Sequence, residues 1–266
     1  MSKGLLDPKV DFVFKNIFGS PNHPEILISF LNATLKAKKK IVNVDIKKTD
    51  IEKQYIEDKY SRLDVKATTS NDEIINIEIQ LKNENNMVKR SLYYLSKMYE
   101  EQLNEKEDYS KLVRTVCINI LNFKYLKTDN FHTGYRFKEI ESNEELTDIM
   151  EVHFIEIPKL QDSSDEKDML VAWTEFLKDP ESEKVRGLEL SIEEIRQAKD
   201  ELIRMSNDST QRELYDMRAN SLRDKMSELN AAERKGIEKG REEGREEQKP
   251  TATCWINRWQ VSSPRF

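Results

Sequence analysis

Apolar and polar residues alternate through the stretch from Arg62 to Lys82, which we interpret as two strands. The apolar set is Leu63, Val65 and Ala67 in the first strand, and Ile75, Ile77, Ile79 and Leu81 in the second. A period of two places the apolar set and the intervening polar residues on opposite faces. The segment from Thr68 to Glu73 is rich in turn formers, so the pattern predicts an antiparallel hairpin.

One register of the hairpin would bring two acidic residues together. In this register the residue numbers of each cross-strand pair sum to 142. Asp64 then lies opposite Glu78, and Lys66 lies opposite Asn76. Cross-strand Cβ atoms are roughly 5 Å apart. Two carboxylates at that distance repel each other unless a positive charge lies between them. An oxygen-seeking divalent cation such as Mg²⁺, with ligand distances of about 2.0–2.1 Å, would satisfy both.

Helical spacing and further alternation predict the elements around the hairpin. The helices are expected at Leu6–Phe18, Pro24–Leu35 and Met87–Leu103, and the strands at Ile41–Ile46, Gln54–Asp58, Val113–Leu121 and Val152–Ile157. The nearly continuous apolar run of Val113–Leu121 is typical of a strand covered on both faces. In the third helix we expect Val88, Leu92, Leu95 and Tyr99 to face the core, because they are spaced four, three and four apart. His153 is expected to point away from the core.

From Glu166 onward the pattern becomes helical. Met169–Leu177 is a compact amphipathic helix, and Ser191 followed by Glu194 has the form of a capping box. Leu188, Ile195 and Leu202 recur every seven residues, as in a helical packing stripe. Gly236, Gly240 and Gly244 interrupt a charged segment that we expect to be frayed helix or disorder. The last nineteen residues contain no acid and two of the three tryptophans, and we expect little structure there.

Composition and charge narrow the class of protein. The chain has 266 residues and a formal net charge of −6. Its two cysteines form neither a disulfide framework nor a zinc site. No apolar run approaches the roughly 20 residues of a membrane span, and a cytoplasmic location is expected. The net charge argues against a protein that merely coats nucleic acid. Residues 1–50 nevertheless carry nine basic and five acidic side chains, so a phosphate backbone could be received there.

Several short motifs of the sequence resemble those of the Rpn family of recombination-promoting nucleases, often labelled transposases, within the PD-(D/E)XK superfamily. They are DFVFKNIFG from Asp11, RLDVKA around Asp64, NIEIQ from Asn76, RSLYYLSKMYEEQL from Arg90 and VCINIL from Val116. They occur in the expected order over about the first half of the chain. The resemblance implies an α/β fold with a restriction-endonuclease-like core, in which a mixed central sheet is flanked by helices, followed by an α-helical C-terminal extension.

The resemblance also implies a metal-dependent DNA endonuclease site. Asp64 and Glu78 would hold Mg²⁺, with Mn²⁺ or Ca²⁺ as alternatives, and the backbone carbonyl of Ile79 would add a ligand. Asp11 on the first helix would reach the metal directly or through water. The superfamily usually has lysine where this chain has Gln80, an amide that can orient water but cannot act as a base. Whether Lys66 or Lys82 supplies the missing positive charge stays open.

A second set of residues is a candidate for contact with DNA. Arg90, Tyr94 and Lys97 form a stripe on the third helix, and an aromatic ring among cations suits a nucleic-acid backbone and its bases. Ordinary amphipathic surface is the alternative, and the resemblance favours Arg90 with Tyr93 or Tyr94 as helper residues beside the carboxylates. Lys15 shares a face of the first helix with Asp11, where a surface salt bridge is the simpler interpretation.

Three functions follow as alternatives. The first is a metal-dependent DNA endonuclease linked to recombination or mobile elements, and the second is a nucleic-acid-binding module whose nuclease site is inactive. The third is a helical protein-interaction module for which the hairpin is scaffold. We expect a nuclease-like core at 1–160, a helical extension at 161–235 that is a candidate homodimer interface, and a charged glycine-repeat segment with a disordered tail at 236–266. DNA is the expected partner, with no membrane.

Overall fold

The computed structural model describes residues 4–37, 39–47, 65–165 and 167–247. Its helices are α1 Asp11–Phe18, α2 Pro24–Leu35, α3 Met87–Glu100, α4 Met169–Lys178, α5 Glu183–Glu189, α6 Glu193–Asn207 and α7 Ser209–Glu247. Its strands are β1 Val44–Lys47, β2 Val65–Thr69, β3 Ile74–Gln80, β4 Thr115–Leu121, β5 His132–Lys138 and β6 Glu145–Glu156. The strand predicted at Gln54–Asp58 and the tail predicted after residue 247 lie outside the described residues.

Six strands form one mixed sheet in the order β1-β2-β3-β4-β6-β5. β1, β2 and β3 pair antiparallel, β4 lies parallel to both β3 and β6, and β5 closes the other edge antiparallel to β6. The parallel strands β3 and β4 are buried along most or all of their length, as predicted for Val113–Leu121.

The hairpin has the predicted register. Val65 pairs with Ile77 and Lys66 pairs with Asn76, and the numbers of each pair sum to 142. Asp64 lies outside the described residues, so its pairing stays a prediction. Strand β3 is central in the sheet and both of its faces are covered. Its polar residues Asn76 and Glu78 are therefore buried as completely as its apolar ones.

Helices cover both faces of the sheet. α3 packs on the face that carries Glu78, where Leu95 and Met98 join an apolar cluster with Cys117, Leu121 and Phe154. The end of α1 lies against the opposite face, since a Cβ built on Gly19 would be 3.4 Å from Cγ2 of Val65. The mixed sheet with flanking helices and further C-terminal helices is the predicted α/β fold.

The predicted inward stripe of α3 is partly wrong. Val88 and Leu92 are exposed, while Ser91, Tyr94, Leu95 and Met98 are buried. A polar contact accounts for this rotation of the helix, because the Ser91 hydroxyl donates a hydrogen bond to Oδ1 of Asn119 over 2.8 Å. Apolar spacing alone gives no signal for a serine that is buried with a hydrogen-bond partner.

Helices α4 and α6 pack on helices α1 and α2. Trp173 of α4 is fully buried against Phe18 and Phe30 from α1 and α2, at ring-centroid distances of 5.3 and 6.5 Å. The contacts divide the chain into Met1–Ala219 and Asn220–Phe266, so the boundary predicted at residue 160 does not coincide with this division. An apolar face on α4 and α6 is buried within the first unit, which makes these helices part of that unit's core.

Three expectations concern the C-terminal helices. Leu188, Ile195 and Leu202 are buried inside the first unit, as predicted for a helical packing stripe, and the homodimer interface expected in the helical extension stays a prediction. The capping box does not form, because Ile192 is the N-cap of α6 and the Ser191 hydroxyl donates to the carbonyl of Leu188 instead. Of the two alternatives expected for the glycine segment, frayed helix and disorder, the structure shows a helix, since the three glycines lie within α7, which ends at Glu247.

Strands β5 and β6 form a long hairpin, of which the sequence pattern predicted only the final stretch, Val152–Ile157. His153 is buried there, contrary to prediction, and its Nε2 lies 2.8 Å from a carboxylate oxygen of Glu151. Its Nδ1 lies 2.9 Å from Nε2 of His132, and the two rings stack. Arg114 joins Glu151 to Glu73 by ion pairs, so a polar network closes the face opposite α3. Apolar periodicity in the sequence gives no indication of such a polar network.

No helix within the described residues is both long enough and apolar enough to cross a membrane.

Candidate active site

Glu78 is the centre of the candidate site. Its side chain is fully buried on β3 and faces α3, where Nε of Arg90 lies 3.3 Å from Oε2. Oε1 is buried as well, and no hydrogen-bond donor in the described part of the chain reaches it. A buried carboxylate oxygen without a partner is costly, so it points to a group that lies outside the described residues.

The environment of Glu78 also shifts its ionisation. Burial raises the pKa of this carboxyl above its ordinary value, and the charges of Arg90 and Lys15 oppose the shift without cancelling it. Lys15 therefore acts on Glu78 electrostatically, which brings one residue predicted for DNA contact into the neighbourhood of the site. A bound cation would favour the ionised form in the same way as these two residues do.

Asn76 is a site residue that the sequence reasoning missed. It lies two residues before Glu78 on the same face of β3, fully buried, and its Oδ1 has no hydrogen-bond partner among the described residues. Its Nδ2 lies 3.7 Å from Sγ of Cys117. Two buried oxygens that lack partners within the described part of the chain thus belong to residues on one face of β3. The signal that could have identified Asn76 is the presence of two polar residues, Asn76 and Glu78, in a strand with neighbouring strands on both sides.

Arg90 is held in place between an acid and an aromatic ring. Its guanidinium carbon lies 5.4 Å from the centroid of the Tyr94 ring, and Nη1 lies 4.0 Å from Oε2 of Glu84. Burial lowers the pKa of Arg90, but the charges of Glu78, Tyr94 and Glu84 and the hydrogen bond to Glu78 together outweigh burial and raise it. Tyr94 is only 4% exposed, so it supports Arg90 and is not available to stack on a base, which corrects its predicted role.

Asp11 forms an ion pair with an arginine, and its predicted role at the metal stays a prediction. Its Oδ2 lies 2.8 Å from Nη1 of Arg218, whose guanidinium also covers the Phe12 ring at 5.6 Å. Its Oδ1 accepts a hydrogen bond from the backbone N–H of Phe12. The structure therefore gives Asp11 a partner from the first turns of α7, 207 positions further along the chain, which apolar periodicity in the sequence does not indicate.

The remaining predicted residues lie around β3. Gln80 ends the strand, half-buried, and Ile79 is buried and pairs with Ile120 of β4. Lys66 is half-buried on the neighbouring strand β2. Lys97 lies two turns beyond Arg90 on α3 and forms an ion pair with Glu101 at 3.3 Å. Asp64, the second predicted acid, lies outside the described residues.

The structure does not itself define a metal centre. Across residues 4–37, 39–47, 65–165 and 167–247, no group of three or more His, Cys, Asp or Glu side chains could hold a metal ion. Among the described residues, Oε1 of Glu78 and Oδ1 of Asn76 lack partners on one face of β3, and oxygens are the type of donor that a hard cation prefers. Asp64 is the residue that would complete such a set.

The fold defines the class of protein: a mixed sheet flanked by helices, with the PD-(D/E)XK nuclease type of α/β core. The family follows from comparison with family models. The chain belongs to the PD-(D/E)XK nuclease family transposases, whose model matches residues 8–232. This match confirms the predicted family. Comparison with curated proteins and with solved structures found no significant match in either.

Proposed function

We propose that this protein is a metal-dependent DNA endonuclease that hydrolyses phosphodiester bonds. The observation that carries the proposal is the buried Glu78 carboxylate, with one oxygen beside Arg90 and the other without a partner among the described residues. Membership of the family supports a nuclease chemistry, and nucleases of this superfamily generally use divalent metals. Recombination or a mobile element is the context that the family name suggests.

Asp64 and Glu78 would hold the cation, with Mg²⁺ as the first candidate and the carbonyl of Ile79 as a further donor. The pairing of Lys66 with Asn76 supports this assignment, because the same register continued by two residues pairs Asp64 with Glu78. Bound there, the metal would neutralise charge on the phosphate and lower the pKa of a water molecule. Gln80 would orient that water through its amide group.

Arg90 is our candidate for the positive charge that the superfamily's lysine usually supplies. Gln80 is neutral, and the sequence left Lys66 and Lys82 as alternatives. Arg90 is the cation whose contact with Glu78 is 3.3 Å, and its side chain is only 18% exposed. A fixed guanidinium in a partly dehydrated site stabilises negative charge on phosphate more strongly than a solvated lysine does.

Plasmid cleavage with Mg²⁺ tests the proposal. We expect wild-type protein to nick or linearise supercoiled DNA and to stop in EDTA. Glu78→Gln and Asp64→Asn should each lower the rate on the order of a hundredfold or more. Glu100→Gln, an exposed acid at the end of α3, serves as the matched control and should cleave like wild type. Equal cleavage by Glu78→Gln would contradict the proposal, and absence of cleavage by wild type would favour an inactive binding module.

A further inference from the structure

The outward face of α3 carries an unusual combination of side chains. Val88, Leu92 and Tyr93 are exposed by 40%, 49% and 52% although they are apolar or aromatic. Lys89 and Lys97 lie one turn before and one turn after Tyr93, on the same side of the helix. From Met87 to Met98 the helix has three basic residues and no acid. We call this surface, formed by Val88, Lys89, Leu92, Tyr93 and Lys97, the α3 platform.

The α3 platform adjoins the candidate active site through direct contacts. Tyr93 packs edge-to-face on Tyr94 with ring centroids 5.5 Å apart, Tyr94 lies under Arg90, and Arg90 contacts Glu78. A ligand on Tyr93 would therefore be separated from Arg90, the residue that holds Glu78, by the rings of Tyr93 and Tyr94. The position of the platform is fixed because the other face of α3 is anchored by Ser91, Leu95 and Met98.

The chemistry of the platform distinguishes between forms of DNA. Duplex DNA presents phosphates and groove edges, whereas the flat faces of its bases are stacked inside. An unpaired strand presents phosphates and base faces together, and exposed aromatic and aliphatic side chains beside lysines match both. If cations alone were needed, exposure of Leu92 and Tyr93 to water would serve no purpose on a helix whose remaining face is well packed.

We propose that the α3 platform binds an unpaired stretch of DNA, with Tyr93 stacking on a base and Lys89 contacting the backbone. The inference rests on the proposed function for its biological meaning, since it gives the nuclease a substrate with single-stranded character, such as a flap, a gap or a melted end. It assigns the role of base stacking to Tyr93, which the sequence analysis could not separate from Tyr94. Lys89 is a new assignment.

Fluorescence anisotropy in EDTA tests the platform without cleavage. The probes are a labelled single-stranded oligonucleotide of mixed sequence and the duplex of the same sequence. We expect tighter binding of the single strand, a loss of about tenfold for Tyr93→Ala and near wild-type binding for Tyr93→Phe, as one base–aromatic stack requires a ring. Lys89→Gln should lower the slope of log affinity against log salt by about 0.7.

Tyr109→Ala is the matched control, because this tyrosine is 82% exposed on a separate 3₁₀ turn, Tyr109–Lys111. Equal effects of Tyr93→Ala and Tyr109→Ala would overturn the inference, as would tighter binding of the duplex. A change in self-association by Tyr93→Ala with unchanged DNA affinity would overturn it in favour of a protein partner. The test is independent of catalysis, since an inactive Glu78→Gln protein with an intact platform should still bind the single strand.

Discussion

Nε of Arg90 lies 3.3 Å from Oε2 of Glu78, and both side chains are largely removed from water. The pair joins the central strand β3 to α3 and fixes the orientation of the carboxylate whose other oxygen has no partner within the described chain. A buried charge of this kind lowers the stability of the folded state unless a partner of opposite charge compensates the loss of hydration.

Removal of Arg90 should expose that cost. Arg90→Met leaves Glu78 buried without its cation, and we expect the free energy of unfolding to fall by about 3–5 kcal/mol at neutral pH. Urea denaturation measures the loss. The double variant Arg90→Met/Glu78→Gln is the control and should recover part of it, since the uncompensated charge is gone. If the losses of Arg90→Met and Glu78→Gln simply add in the double variant, the two residues are not coupled.

The polar network on the opposite face should govern stability in acid. Burial alone would raise the pKa of Glu151, but hydrogen bonds from His153 and Arg114 outweigh burial and lower it to about 2. A carboxyl with a lowered pKa stabilises the fold above its unfolded pKa, and this contribution of about 3 kcal/mol is lost as the pH falls from about 5 to 2. Melting temperature against pH measures the loss.

Two controls make the acid prediction specific. Glu151→Gln should have a lower melting temperature at neutral pH and a shallower decline below pH 5, because the titrating group is absent. Glu145→Gln removes an acid that is far more exposed on the same hairpin and should leave the decline almost unchanged. Identical acid transitions in wild type and Glu151→Gln would assign the decline to other groups.

Gly134 should be required for the contact between β5 and β6. A Cβ at this position would lie 3.0 Å from Cε1 of His153 and 3.2 Å from its Nδ1, so Gly134→Ala must displace a buried ring. We expect a loss of about 1–3 kcal/mol in thermal or urea denaturation. Gly187→Ala in α5 is the matched control. Among the described residues no atom lies within 4 Å of the place that its Cβ would take, so alanine should stabilise that helix by up to about 1 kcal/mol.

The packing of Trp173 predicts how the chain can be shortened. A fragment ending at residue 160 loses α4 and uncovers Phe18 and Phe30, and it should be largely unfolded or aggregated. A fragment ending at Ala219 keeps the first contact unit and should show a cooperative melt by circular dichroism. A cooperative melt of the shorter fragment would instead support the boundary predicted at residue 160.

Much of the fold was predictable because strong periodicity reflects burial on one face. The hairpin register, α2, β4 and the family itself followed from alternating or continuous apolar residues and from local words. The rotation of α3 was not predictable, since a serine hydrogen bond and a stacked arginine decide it. Long-range partners were equally hidden, as with Arg218 on Asp11 and α4 on α1.

The candidate site was predicted in part for the same reason. Glu78 stood out because the predicted register pairs it with Asp64 and because NIEIQ resembles a motif of the family. No pattern marked Asn76, whose burial follows from the central place of β3 in the sheet. Tyr94 and Tyr93 differ by one position, and only the packing of α3 shows which one is inside. Apolar spacing cannot make that choice when the inward stripe itself contains a hydrogen-bonded polar residue.

Metal binding tests the central claim most directly. Titration of the apoprotein with Mn²⁺, followed by the electron paramagnetic resonance signal of free Mn²⁺, measures whether Glu78 holds a cation independently of DNA and catalysis. We expect wild type and Glu100→Gln to bind Mn²⁺ alike, and Glu78→Gln to bind about tenfold more weakly or worse. Unchanged Mn²⁺ affinity in Glu78→Gln would contradict the assignment of this carboxylate as a metal ligand.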